Sequence, residues 1–380
     1  MNGKKVICAG HVCLDITPVF AGRTPVRAVE ELLRPGKLIG VADADIHTGG
    51  SVANTGLAMK ILGNDVTLMG KIGRDRFGEI VRSVFSEYGC TGLLVDEQVG
   101  SSYSVVLAIP GVDRIFLHHS GANDSFVCDD VPQQALQQAD LFHFGYPTLM
   151  KQMYRNDGEE LIRLFVRAKQ AGCATSLDLS AVDPDSEPGR ADWGKILAGV
   201  LPYVDFFVPS LEELSFMLAP QMHARMLRAG GDVTDHVDFD AQVKPLAQRC
   251  LELGAGTVLI KCGRSGMFLK TAAAEKLRAG RLDSLLDVDA WGGREIVQPC
   301  YWAGEILSAT GAGDVSIAAF LTAVLDGCPP AECISCAAAE GSVSVTAYDA
   351  LSALRPLSEL KAALQSGEIR LLADVLRKKQ

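Results

Sequence analysis

Short runs of β-branched and aromatic residues alternate with helical stretches along most of the chain, and this alternation is what most restricts its fold. Val6-Ile7-Cys8, Val66 to Met69, Leu141 to Phe144, Thr175 to Leu179, Phe206 to Val208 and Thr257 to Lys261 read as buried strands. Val52 to Leu62, Phe77 to Tyr88, Glu159 to Ala171 and Gln242 to Leu253 read as helices between them. The pattern predicts an α/β fold: a Rossmann-like, mostly parallel sheet flanked by helices. Ligands of such sheets bind beyond the carboxyl ends of the strands.

Two segments break the alternation. Ile16 to Asp45 holds no clear helix, and Tyr103 to Leu117 alternates like a hairpin with Pro110-Gly111 or Val112-Asp113 at its turn. Residues 16–45 and 100–118 therefore read as a small β sheet on a core of 1–15, 46–99 and 119–380. That sheet is either a lid or a decorated edge. Residues 219–238, rich in Met, Arg, Gly and Asp, read as a loop or short-helix insertion, and Leu282 to Pro299 is similarly irregular.

A chain of 380 residues is one large or two small domains, and 48% hydrophobic content with 38 glycines suits an α/β enzyme. The formal charge of −10 argues against wrapping nucleic acid. The basic start, Met1 to Lys5, is followed by an apolar run too short for a signal peptide, and no stretch reaches membrane-spanning length. Eleven cysteines without an export signal read as reduced thiols in a cytoplasmic protein. Cys328, Cys333 and Cys336 have part of an iron–sulfur spacing, but no cysteine follows them; Cys333 and Cys336 sit on the alanine-rich helical run Ala331 to Val345, and the group reads as core.

Ala309-Thr310-Gly311-Ala312-Gly313-Asp314 carries the chemistry. It opens an apolar run in which Ile317, Phe320, Leu321, Val324 and Leu325 recur at helical spacing, predicting one inward stripe. The helix start presents unpaired N–H groups with a positive partial charge, a ready site for phosphate. A carboxylate there either caps the helix or accepts a proton from an attacking hydroxyl. Upstream, His47-Thr48-Gly49-Gly50-Ser51-Val52-Ala53-Asn54 precedes another helix. Its glycines let a substrate lie against backbone and Asn54 offers a donor and an acceptor, unless the turn is merely structural.

Gly49-Gly50 with Asn54, then Gly73-x-Asp75-x-Phe77-Gly78, then Gly311-Ala312-Gly313-Asp314, in that order, resemble the ribokinase-like carbohydrate kinases, the phosphofructokinase-B family. The resemblance runs from about Val6 to about Asp349. It implies a ribokinase-like fold with a β-sheet lid that often mediates dimerisation. The implied reaction is ATP-dependent transfer of the γ-phosphoryl group to a hydroxyl of a sugar or sugar-like molecule. Asp314 would be the general base, and the N–H groups of Gly311, Ala312 and Gly313 the anion hole. Asp15, Gly49, Gly50 and Asn54 would bind substrate, although Asp15 before Thr17-Pro18 also reads as a turn former. Lys261-Cys262-Gly263-Arg264-Ser265-Gly266 would lie beside the nucleotide, or form an ordinary glycine hairpin. Of the family's strand-end Asp-Pro-Asn only Asp178 remains.

Two departures carry consequences. The family's Asn-x-x-Glu is Ser210-Leu211-Glu212-Glu213 here, so Ser210 is shorter while Glu213 keeps the acid for Mg2+, through water. Ser308 and Ala309 replace the usual Asp-Thr, which removes a potassium ligand and predicts little potassium activation. Two other readings stay open: a nucleoside kinase of the same superfamily, and a sugar- or nucleotide-binding sensor without turnover. The expected partners are a small-molecule acceptor and a second copy through the lid, with neither nucleic acid nor membrane.

Overall fold

Eight strands form the central sheet, in the spatial order Glu295–Gln298, Met267–Thr271, Thr257–Lys261, Phe206–Phe207, Ala174–Asp178, Leu141–Gly145, Lys5–Gly10 and Asp65–Met69. The coordinates are a computed structural model describing residues 4–377 except 23, 113, 230–232, 235, 236, 303 and 348. From Asp65–Met69 to Thr257–Lys261 every neighbour is parallel; the last two strands add antiparallel. Side chains alternate between the faces, so Val6 and Cys8 join one core cluster while Ile7 and Ala9 join the other. With helices on both faces, these strands are apolar almost throughout. The chain leaves Lys5–Gly10 toward Asp65–Met69 on one side and Leu141–Gly145 on the other. That divergence opens a crevice at the carboxyl end, beside Gly10 and Gly145.

A second sheet, ordered Ala44–Gly49, Cys13–Pro18, Tyr103–Leu107, Ile115–His119, starts two residues beyond the first central strand. Its hairpin turns at Pro110-Gly111: the Val112 N–H donates to the Ile109 carbonyl at 3.1 Å, with Gly111 at φ +87. Asp113 of the other candidate turn lies outside the described residues.

Several expectations need correction. Ile16 to Asp45 contains a short helix, Val29–Leu32. Within 219–238, Pro220–Ala229 is a helix, as one of the two forms expected there, while 230–232, 235 and 236 lie outside the described residues. Leu282 to Pro299 includes the strand Glu295–Gln298, a short edge ordered by pairing with Met267–Thr271. The Ala312–Leu325 helix does not bury one stripe: every residue from Asp314 to Leu325 is buried. It lies between the Ser51–Ile61 and Pro330–Ser344 helices, so no face meets water. Cys333 and Cys336 are likewise buried, and among the described residues no group of three or more His, Cys, Asp or Glu could hold a metal.

The Pro330–Ser344 helix also buries Glu340 completely, with neither carboxylate oxygen hydrogen-bonded among the described residues. Burial pushes this carboxyl up from 4.5 to about 7, with Arg355 pulling the other way. The folded state thus holds the proton more tightly than the unfolded chain. Its stabilising contribution is complete below 4.5 and lost as pH rises to about 7. Glu340→Gln should therefore gain stability over wild type above neutrality, by up to roughly 3 kcal/mol, and lose that advantage in acid. Denaturant titrations at about pH 5 and about pH 8 check it; a gain independent of pH would contradict the assignment.

Candidate active site

Asp314 is 3% exposed, and its carboxylate meets three side chains. Gly311, at φ +74, caps the helix; a Cβ there would lie 2.4 Å from that of Ala350, so only glycine fits. One turn into the facing Ser51–Ile61 helix, Asn54 Nδ2 donates to Asp314 Oδ2 at 2.9 Å and Thr55 Oγ1 to Oδ1 at 3.2 Å. The Tyr146 hydroxyl donates to both oxygens, at 2.8 and 2.8 Å. Asp314 therefore faces across to the neighbouring helix rather than folding back as a cap. Burial raises its carboxyl above the usual range, while Asn54, Lys261, Tyr146 and Thr55 pull it back.

Tyr146 stands at the crevice, directly after Gly145, in the left-handed region at φ 66 and ψ 46. That conformation costs a non-glycine residue about 1–2 kcal/mol. The Tyr146 N–H donates to the Asp178 carbonyl at 3.3 Å, and the Leu149 N–H to its own carbonyl at 3.1 Å. Burial and the charges of Asp314 and Asp178 push its phenol well above 10, so it remains a donor.

Asp15 projects from the second sheet against Gly49; a Cβ on Gly49 would lie 2.2 Å from Asp15 Oδ2. Burial raises its carboxyl, partly offset by the Cys13 thiol donating at 3.2 Å. Gly50 caps the helix that carries Asn54. Asp15 and Asn54 line one cavity of about 880 Å³ between the second sheet and residues 306–310 and 349–352, which reaches Thr310 in the glycine turn.

At the next strand ends, Lys261 Nζ donates to Asp178 Oδ1 at 2.8 Å, with both groups largely buried. Burial alone would depress the Lys261 ammonium, but Asp178, Glu213 and Asp314 outweigh it and hold it up. The ammonium lies beside the glycine turn: a Cβ on Gly313 would sit 3.7 Å from Nζ. Ser210 bridges to Lys261 and caps the Leu211–Leu218 helix reciprocally with Glu213. The Glu213 N–H donates to Ser210 Oγ at 3.2 Å, and the Ser210 N–H to Glu213 Oε2 at 2.7 Å. Gly263 and Gly266 lie in the hairpin joining Thr257–Lys261 to Met267–Thr271, closed by the Cys262 N–H on the Gly266 carbonyl at 2.8 Å.

Asp314, Asn54 and Asp15 thus surround one crevice, with Lys261 and Glu213 flanking it. Asp75 stands apart, capping the Arg76–Glu87 helix through the Gly78 N–H at 2.8 Å and tying down Ser101. Sequence reasoning missed Tyr146 and Thr55. The signal for Tyr146 was present: it follows a buried strand at the edge where α/β sheets bind ligands.

The folded arrangement is that of ribokinase-like proteins. Residues 9–356 match the pfkB family carbohydrate kinases, and the chain belongs to that family. It is accordingly a phosphotransferase of the alcohol-acceptor class. It is 23% identical to a probable fructokinase-7 of Arabidopsis thaliana, over 95% of this chain and 92% of that one. An uncharacterised sugar kinase of Archaeoglobus fulgidus is 23% identical over 73% of this chain and 90% of its own length. Among solved structures, Arabidopsis thaliana ribokinase complexed with ribose and ATP has a TM-score of 0.70 at 20% identity, covering 96% of this chain and 99% of that one. A Xylella fastidiosa fructokinase with bound ATP has a TM-score of 0.68 at 20% identity, covering 96% and 99%. No helix among the described residues is long and apolar enough to cross a membrane.

Proposed function

We propose that the chain transfers the γ-phosphoryl group of ATP to a hydroxyl of a sugar or sugar-like acceptor, with Asp314 as general base. The observation that carries this reading is the direct bond from Asn54 to Asp314, in a crevice whose cavity Asn54 shares with Asp15. Asp15, Asn54 and the backbone at Gly49 and Gly50 hold the acceptor. Asp314 takes the proton of its hydroxyl as that oxygen bonds to the γ-phosphorus and the bond to the β–γ bridging oxygen breaks.

The glycine turn and Lys261 form the nucleotide side. The space above Gly313, beside the Lys261 ammonium, fits a phosphate oxygen. The Ala312 N–H donates to the Ala309 carbonyl at 3.3 Å, so it joins the Gly311 and Gly313 N–H groups as anion hole only once that bond opens. Mg2+ would neutralise charge between the β- and γ-phosphates. Glu213 and Asp178, too few for an all-protein cage, fit an ion held mainly by phosphate and water. Ser308 and Ala309 leave the potassium site without its acid.

The second sheet acts as a lid over the acceptor. The exposed apolar residues of its Ile115–His119 edge strand, Phe116 at 52% and Leu117 at 55%, suit a second copy of the chain. The eleven unpaired cysteines suit a reducing compartment. The test is ADP release from Mg-ATP across a panel of sugars, sugar acids and nucleosides. Acceptor-dependent release supports the reading; tight nucleotide binding without release across the panel makes the chain a sensor.

A further inference from the structure

The proposed base accepts hydrogen bonds from three side chains. Asn54 bonds one oxygen, Thr55 the other, and the Tyr146 hydroxyl bridges both at 2.8 Å. An acceptor alcohol must present its own O–H to one of those oxygens for the proton to pass. The phenol holds the side of the carboxylate that opens to the crevice, from which a hydroxyl in that crevice would approach. Asn54 and Thr55 approach along the facing helix and cannot be mistaken for the acceptor; Tyr146 arrives from the crevice, on the carboxyl edge of the sheet.

Resting on the assignment of Asp314 as base, we propose that Tyr146 is a stand-in for the acceptor hydroxyl: it covers Asp314 while the acceptor site is empty and gives way when an alcohol binds. The function of such a cover is to keep water off the base. Water is the smallest hydroxyl acceptor, and an uncovered Asp314 next to bound ATP would take its proton as readily as an alcohol's. The γ-phosphoryl group would then pass to water, giving ADP and phosphate with no product. The cover is reversible in kind, because a phenol held protonated by its buried, anionic surroundings donates without transferring its proton.

The backbone beneath Tyr146 supports the same reading. A tyrosine in the left-handed region between Gly145 and Pro147 is a conformation that persists only where surrounding contacts demand it, and such outliers gather at functional sites. The ring is not merely filling core. It lies 6.1 Å from the His11 ring, whose buried Nδ1 has no hydrogen-bond partner among the described residues, so the cover sits among polar groups rather than in either hydrophobic cluster. Tyr146 acts through Asp314, as a positioning residue.

The test is Tyr146→Phe in the full chain, which keeps the ring and deletes the donor. Hydrolysis of Mg-ATP without acceptor should rise by about tenfold, the worth of one hydrogen bond to a charged group. The acid limb of the kcat/KM profile for the acceptor should move to higher pH, since the free enzyme's carboxylate loses a donor, while that of kcat stays in place. The acceptor KM should fall, because nothing has to be displaced. A purely structural role would lower activity without raising hydrolysis or moving the profile, and that outcome overturns the proposal. Asp314→Asn in parallel separates the two readings. If it abolishes transfer while Tyr146→Phe leaves hydrolysis unchanged, only the cover is wrong. If Asp314→Asn keeps transfer, the base assignment falls and the cover with it.

Discussion

Asp314→Asn should lower acceptor phosphorylation by about 10² to 10⁴-fold while nucleotide binding persists. The amide preserves shape, and the Tyr146 hydroxyl and Thr55 Oγ1 keep an acceptor on its carbonyl oxygen. What disappears is a group able to take the acceptor's proton. Asn54 Nδ2, which donates to Oδ2, would face either that oxygen or an NH2; in the second case the amide flips and Tyr146 turns to solvent or acceptor. Either way the side chains and backbone of the proposed nucleotide side, the glycine turn and Lys261, stay in place, and Lys261 loses only one of the three carboxylates that hold its charge. Steady-state ADP release measures turnover, and equilibrium titration with a non-hydrolysable ATP analogue measures binding. Near-normal turnover would remove the base from the mechanism, whereas loss of both would show that the substitution disturbed the helix start.

How much of this could be read from the chain follows from how local each determinant is. The parallel strands were legible because both faces are buried, so each appears as an apolar run such as Leu141 to Phe144. Glu295–Gln298 was not, since a four-residue edge strand with alternate residues exposed is fixed by its neighbour rather than by its own composition. The helix from Ala312 was legible as a helix, but its all-round burial depends on two other helices arriving from residues 51–61 and 330–344. Site residues divide the same way. The glycine turns, and with them the carboxylate that directly follows Gly313, announce themselves locally, through backbone conformations that only glycine adopts easily. Tyr146 does not, because its importance lies in a contact with a residue far along the chain, Asp314. Glu213 shows the converse: a sequence match pointed to a metal, while its carboxylate in the resting structure closes a local capping box.

Lys261→Met should damage both stability and activity, for separable reasons. Lys261 and Asp178 form a buried ion pair at 2.8 Å, with side-chain exposures of 11% and 1%. Burial already pushes the Asp178 carboxyl well up and the ammonium is what pulls it back, so removing Lys261 leaves it beside Glu213 and Asp314 either as an unpaired charge or forced to take up a proton. Breaking one side of such a pair typically costs about 3–5 kcal/mol. Much of that returns if Asp178 is made neutral as well, because the penalty is an uncompensated charge rather than lost attraction. The double variant Lys261→Met with Asp178→Asn should therefore melt closer to wild type than Lys261→Met does. Activity should not recover with it. In the proposed reaction the ammonium beside Gly313 supplies positive charge to the phosphates, which neither methionine nor asparagine replaces, and the single Asp178→Asn variant shows what loss of that carboxylate alone does. Thermal melts of wild type, both single variants and the double variant, alongside acceptor-dependent ADP release, separate the two effects. If stability and turnover recover together, Lys261 serves only to neutralise Asp178. If stability stays low in the double variant, the pair is held for packing, and the electrostatic account of this corner of the site is wrong.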